Sequence, residues 1–265
     1  MNTGLKTVFL VIGFLLIILG FFMIIPYIVE ITIGDKTHTF LLSSIFSIFI
    51  GSLMVISNQT EDRMLNIKQA FMMTTFSWVA ITLFASIPFM YSSLNLSFTD
   101  SFFESMSGIT TTGSTILDNI EKASKGVLIW RAILQWLGGI GIIVMAITVL
   151  PLLNIGGMSL FKSEGIEFEK ILPSSKAIAL ATTRIYFILT VICALSFWIF
   201  GMDYFDAVAH ALTTISTGGF STHSKSIGFY DSVSIETTAM IFIIAGSIPF
   251  LTYLKFIKGD IFVFY

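Results

Sequence analysis

The sequence predicts an all-α polytopic membrane protein: two N-terminal transmembrane helices followed by two helix–short helix–helix repeats whose loops re-enter the bilayer. Three observations predict it. Of 265 residues, 55% are hydrophobic and 11% charged, with mean hydropathy +0.92, whereas soluble domains are about 45–50% apolar. Six stretches are long and apolar enough to cross a bilayer core, which takes about 20 residues. Two further semi-apolar stretches, 98–120 and 202–227, occupy equivalent places between helix pairs and resemble each other.

The elements follow in order. The first span, 5–29, is longer than the apolar core of a signal peptide and lacks a small-residue cleavage site, so it reads as a retained helix. With the second span, 39–57, it makes a two-helix N-terminal region over 1–60. Spans 68–91 and 128–151 flank the first semi-apolar stretch and define a first unit, 61–158. The connection Phe161 to Lys176, with Glu164, Glu167, Glu169 and Pro173, reads as a solvated linker. Together with spans 177–201 and 234–257 around the second stretch it fills a second unit, 159–265.

Orientation follows from where Lys and Arg fall near helix ends. Lys6, Arg63, Lys68, Lys162, Lys170, Lys176, Lys255 and Lys258 fall on one side; Lys36, Lys122, Lys125 and Lys225 fall on the other, with Arg131 close to it. The richer side is expected in the cytoplasm, with the N-terminus inside and both loops entering from outside.

The internal repeat carries the chemistry. Residues 101–114 (Ser-Phe-Phe-Glu-Ser-Met-Ser-Gly-Ile-Thr-Thr-Thr-Gly-Ser) compare with 206–219 (Asp-Ala-Val-Ala-His-Ala-Leu-Thr-Thr-Ile-Ser-Thr-Gly-Gly), and the comparison pairs Gly113 with Gly218, 105 positions on. Each loop follows a short helix that starts near an acidic cap, Asp100 in the first and Asp203 or Asp206 in the second. The helix C-terminus, carrying about half a negative charge, then faces the loop and favours a cation. Glycine permits backbone angles that turn carbonyls inward to replace a hydration shell. Carbonyls without carboxylates suit a weakly hydrated monovalent ion better than calcium or magnesium.

Four stretches together resemble the Trk/Ktr superfamily of potassium transporters: Ser-Gly-Ile-Thr-Thr-Thr-Gly-Ser-Thr (107–115), Trp-Arg-Ala-Ile-Leu-Gln-Trp-Leu-Gly-Gly-Ile-Gly-Ile-Ile-Val (130–144), Lys-Ser-Glu-Gly (162–165) and Ser-Thr-Gly-Gly-Phe-Ser-Thr-His (216–223). The two helices ahead of the first repeat make it similar to the TrkH branch. The resemblance implies potassium uptake across the bacterial inner membrane, with potassium as substrate and no cofactor, through helix–pore helix–helix (M1-P-M2) repeats. By matching positions, Thr111, Thr112 and Gly113 are the first-filter residues and Ser216, Thr217 and Gly218 the second, with Thr110 and Ile215 just below. It further implies a homodimer governed by a TrkA-like cytosolic nucleotide-binding subunit. The family has four repeats and this sequence two, so a half-length, non-conducting chain with an assembly or regulatory role is the alternative expectation.

Other residues take structural readings. Glu104 and His210, on the two short helices, are expected to support the filter rather than touch the ion. His223, Asp231 and Glu236 are expected near the outer mouth, exposed to water. Gly138, Gly139 and Gly141 read as close-packing positions, Trp130 as an interfacial residue, and Arg131 as one reaching the headgroups. Cys193, the sole cysteine, reads as a packing residue. A net charge of −2 without a basic stripe argues against nucleic acid, and the absence of any Ser-His-Asp, HExxH or GxxxxGK pattern argues against an enzyme.

Overall fold

The computed structural model describes residues 3–35, 37–60, 67–149 and 175–257. Among them every regular element is helical. The expected linker over 161–176 and the Lys-Ser-Glu-Gly match fall almost wholly outside the described residues, as do Arg63, Lys162, Lys170 and Lys258.

Helix α1 (Thr3–Thr32) runs 30 residues, about 45 Å at 1.5 Å per residue, and exceeds a hydrocarbon core of about 30 Å. It packs against α2 (Thr39–Ser57) as a hairpin. The approach is close because small residues face each other: a side chain at Gly13 would meet the Gly51 carbonyl, and the Ser44 hydroxyl donates to the Gly20 carbonyl at 2.7 Å. Helices α3 (Ile67–Tyr91) and α5 (Lys125–Val149), 25 residues each, flank the short α4 (Phe98–Ile109). Helix α6 (Ser175–Ile199) and the short α7 (Tyr204–Ile215) follow. Among the described residues, four helices, α1, α2, α3 and α6, are long and apolar enough to cross a membrane. At 12 residues, about 18 Å, α4 and α7 are too short to do so.

The last span departs from expectation. Instead of one helix over 234–257, α8 (Val233–Ser247) stops and α9 (Phe250–Ile257) begins after a break at Ile248 and Pro249. The proline ring disfavours helical angles at the preceding residue, and Ile248 is extended at φ −68°, ψ 132°. Pro249 also has no amide to give the Ala245 carbonyl four residues back, and the Tyr253 hydroxyl donates there instead, at 2.7 Å.

Two apolar clusters form the interior. One gathers α1 to α5 around Trp130, Phe40 and Phe89, with Phe205 and Ala209 of α7, and the other gathers α6 to α9 around Tyr186, Phe197 and Cys193. Cys193 is fully buried, as a packing residue should be. Outward faces carry large exposed side chains, among them Phe14, Phe49, Phe187 and Ile244. So extensive an apolar surface fits lipid rather than water as surroundings.

Candidate functional site: two loops at the ends of half-helices

The short helices start alike. The Ser97 hydroxyl accepts from the Asp100 amide at 3.2 Å and donates to the Asp100 carboxylate at 2.7 Å, while Asp203 accepts from the Phe205 amide at 3.3 Å. Each cap satisfies an amide that the first helical turn leaves orphaned. Ser97 is thus the cap in place of the expected Asp100. Asp206, the second possibility for α7, instead accepts from the Tyr230 hydroxyl at 2.6 Å and pairs with His223 at 2.9 Å.

They also end alike, and this sets the register. The Thr111 amide bonds the Gly108 carbonyl as the Thr217 amide bonds that of Thr214, both at 3.0 Å; the Thr112 amide bonds Ser107 as the Gly218 amide bonds Thr213. Left-handed backbone occurs at Thr111 and Thr217, with φ 55° and 52°, and at Gly113 and Gly219, with φ 79° and 82°. Each pair is 106 residues apart, as are the first and last residues of the two helices. Gly113 therefore corresponds to Gly219, not Gly218, and Ile215 corresponds to Ile109, the last residue of its helix. Runs of Ser, Thr and Gly carry too little side-chain information to fix the alignment to one residue.

The loops spend their amides on the helix ends and leave their carbonyls open. Among the described residues, the carbonyls of Thr110, Thr111, Thr112, Gly113, Ser216 and Thr217 accept no hydrogen bond. Thr112, Ser114, Thr217 and Gly219 are exposed. No carboxylate occurs among residues 110–117 or 216–225. The loops meet at their glycines, since a side chain at Gly113 would overlap the Gly218 carbonyl. Below them, the carbonyls of Ile109 and Ile215 lie against Gly138 on α5 and Gly246 on α8, where no side chain would fit. Gly139 is packed against Tyr186, but Gly141 faces open space and is not a close-packing position.

Buried polar side chains hold the loops from behind. Glu104, fully buried, accepts from the Thr115 hydroxyl at 2.8 Å, the Ile116 amide at 3.1 Å and Arg131 Nε at 2.7 Å. At the position equivalent to Glu104, His210 bonds the Asp206 carbonyl through Nδ1 at 2.8 Å and Ser221 Oγ through Nε2 at 2.9 Å. A carbonyl only accepts, so Nδ1 carries a proton, and in the neutral ring Nε2 accepts from Ser221. Both residues are buried and hold the loops from behind. His223 is half-buried: it pairs with Asp206 and stacks on Phe229 at 3.6 Å between ring centroids, whereas Asp231 and Glu236 are exposed.

Two residues on α5 are placed differently from expectation. Arg131 is 1% exposed: it pairs with Glu104, donates through Nη1 to the Ser221 carbonyl at 3.0 Å, and lies 4.1 Å above the Phe220 ring. Trp130 is fully buried and donates its indole N–H to the Ala85 carbonyl at 3.1 Å. Because α5 starts at Lys125, three residues before the expected boundary, both lie more than a turn inside it, facing protein. Gln135, not singled out in the sequence, is also fully buried and bonds the second loop at Gly218 and Phe220. An Arg and a Gln inside an apolar helix, beside a Glu in a semi-apolar stretch, were the signal available, because such groups must find partners in a membrane.

Paired half-helices ending in open carbonyls, within a bundle apolar on its outside, define a helical membrane protein. Residues 36–259 match the TrkH family of cation transport proteins, and the chain belongs to it. It is 41% identical over 253 residues to the Trk system potassium uptake protein TrkI of Halomonas elongata, covering 94% of this chain and 51% of that protein. To the potassium uptake protein TrkH of Escherichia coli it is 37% identical, covering 94% and 53%. The crystal structure of the potassium transporter TrkH from Vibrio parahaemolyticus superposes with a TM-score of 0.86 at 33% identity, over 98% of this chain and 53% of that one. The chain spans about half the length of the curated relatives it matches.

Proposed function

We propose that the chain forms two walls of a potassium-selective path, with Thr110, Thr111, Thr112 and Gly113 from one loop and Ile215, Ser216, Thr217 and Gly218 from the other as filter residues. The structural register adds Gly219 to the second set. One observation carries the reading: among the described residues, six loop carbonyls without a hydrogen-bond partner stand beside two helix C-termini, and neither 110–117 nor 216–225 contains an Asp or Glu that would favour a divalent ion. Such oxygens can take the place of water around a weakly hydrated cation. Non-helical backbone of this kind is tolerated at membrane depth where it lines a wet cavity.

On this reading residues 1–60 are a two-helix membrane region, while 61–158 and 159–265 hold one M1-P-M2 repeat each. The element order supports the division: a long helix, a half-helix with a loop, and a further helix occur twice, the last of them broken at Pro249. The remaining walls come from further repeats of the kind the resemblance implies. By resemblance, the assembly is a homodimer in the bacterial inner membrane with the N-terminus in the cytoplasm, and a TrkA-like nucleotide-binding subunit governs it.

Rubidium uptake into liposomes tests the path. Protein carrying this chain is expected to take up rubidium in preference to sodium. Gly113→Ser, which would overlap the Gly218 carbonyl, and Gly218→Ser, which would overlap Gln135, should each lower that preference. An unchanged preference in both variants would remove the filter assignment.

A further inference from the structure

We propose that Gln135, with Arg131 one turn before it on α5, is a positioning residue that sets the ion preference of the second loop from a helix of the first unit. This rests on the filter reading above and extends it from the loops to what fixes their shape.

Gln135 spends both ends of its amide on one short piece of backbone. Its Nε2 donates to the Gly218 carbonyl at 2.7 Å, and its Oε1 accepts from the Phe220 amide at 3.0 Å. Between those anchors lies Gly219, at φ 82°, whose lack of a side chain leaves the peptide planes on either side free to rotate. The clamp removes that freedom. It also directs the Gly218 carbonyl toward α5, while the Ser216 and Thr217 carbonyls stay open.

Arg131 extends the hold in both directions. Residues four apart share a helix face, so Arg131 and Gln135 meet the loops together. Through Ser221 and the Phe220 ring, Arg131 grips the second loop just beyond the clamp; through Glu104 it reaches Thr115 and Ile116 at the end of the first. The two loops are thus tied to a single post.

The arrangement is not repeated within the described residues. Gly138 on α5 and Gly246 on α8 meet equivalent carbonyls, of Ile109 and Ile215, which aligns the two helices. Counting back from Gly246, the positions of Gln135 and Arg131 are taken by Ile243 and Ala239, neither of which has a polar side-chain atom. In the first loop, the Thr112 carbonyl, equivalent to that of Gly218, takes no bond among the described residues. Selectivity among monovalent ions depends on the number and field of coordinating oxygens, and Gln135 fixes which oxygens the second loop presents.

The test is the rubidium-to-sodium uptake ratio of liposomes holding the protein in its complete encoded form, native and with Gln135→Met or Gln135→Leu. Methionine keeps the length of the side chain and removes both hydrogen bonds. The ratio is expected to fall by about tenfold, the equivalent of about 1.4 kcal/mol, with rubidium uptake retained. A loss of packing alone would lower the amount of protein or its total flux and leave the ratio as it was. A native ratio in an assembled variant overturns the proposal, as does failure of both variants to assemble, which would make Gln135 a folding residue. Native protein with no preference for rubidium refutes the filter reading itself, and the positioning role with it.

Discussion

Replacing Arg131 by Met is expected to destabilise the protein strongly, and adding Glu104→Gln to restore most of the loss. Glu104 is fully buried and Arg131 is 1% exposed, so the single substitution strands a carboxylate away from water. Breaking a buried ion pair from one side costs about 3–5 kcal/mol. The carboxylate keeps two donors, the Thr115 hydroxyl and the Ile116 amide, which places the cost near the lower end, at about 3 kcal/mol. The Ser221 carbonyl also loses its donor. In the double variant no charge is stranded, and neutral replacements of buried pairs are often tolerated, so a deficit within about 1 kcal/mol of native is expected. Unfolding of native, single and double variants by added anionic detergent in mixed micelles gives the comparison. Should Arg131→Met lose less than about 1 kcal/mol, or the double variant prove as unstable as the single, the buried pair is not what holds the first loop.

Three further outcomes are expected. Ser97→Ala removes the α4 cap and should cost about 1 kcal/mol, seen as faster amide exchange across the first turn of that helix. Pro249→Ala supplies an amide to the Ala245 carbonyl and should join α8 to α9; if the new amide at position 249 still exchanges like a loop, packing rather than proline makes the break. Glu121 is held down to about 2, first by the Ser224 hydroxyl and then by the Ser224 amide. A carboxylate lowered when folded contributes its link above the ordinary value of about 4.5 and loses it as pH falls through about 2. The Ser224 amide should therefore stay protected from exchange down to about pH 2, and Glu121→Gln should weaken that protection throughout the range.

The long helices were legible because apolar length is itself the requirement for spanning, and the half-helices because a capping residue precedes a stretch too short to cross. What eluded the sequence was pairing at a distance. Arg131 and Glu104 are 27 residues apart, and Gln135 and Gly218 are 83, separations at which helical periodicity carries no information. Proximity of Arg131 to the expected end of its helix favoured a headgroup role; an earlier start of that helix placed it inside the protein. The one-residue slip between the loops has a related origin, since hydrogen bonds to the preceding helix, not side-chain types, define equivalent positions. The break at Pro249 was different: the proline stood in the sequence, and the apolar run around it outweighed its effect on Ile248.

The equivalence of Glu104 and His210 has a consequence for how such a protein can change. In a ring of identical chains, a substitution appears on every wall at once, so any adjustment is multiplied and most are ruinous. Here the two loops are written separately in one polypeptide, and one is supported by a charged pair while the other rests on an imidazole and a serine. A mutation at position 104 alters the support of one loop and leaves its counterpart at position 210 intact. Each loop can then change by small, independent steps, accumulating its own history.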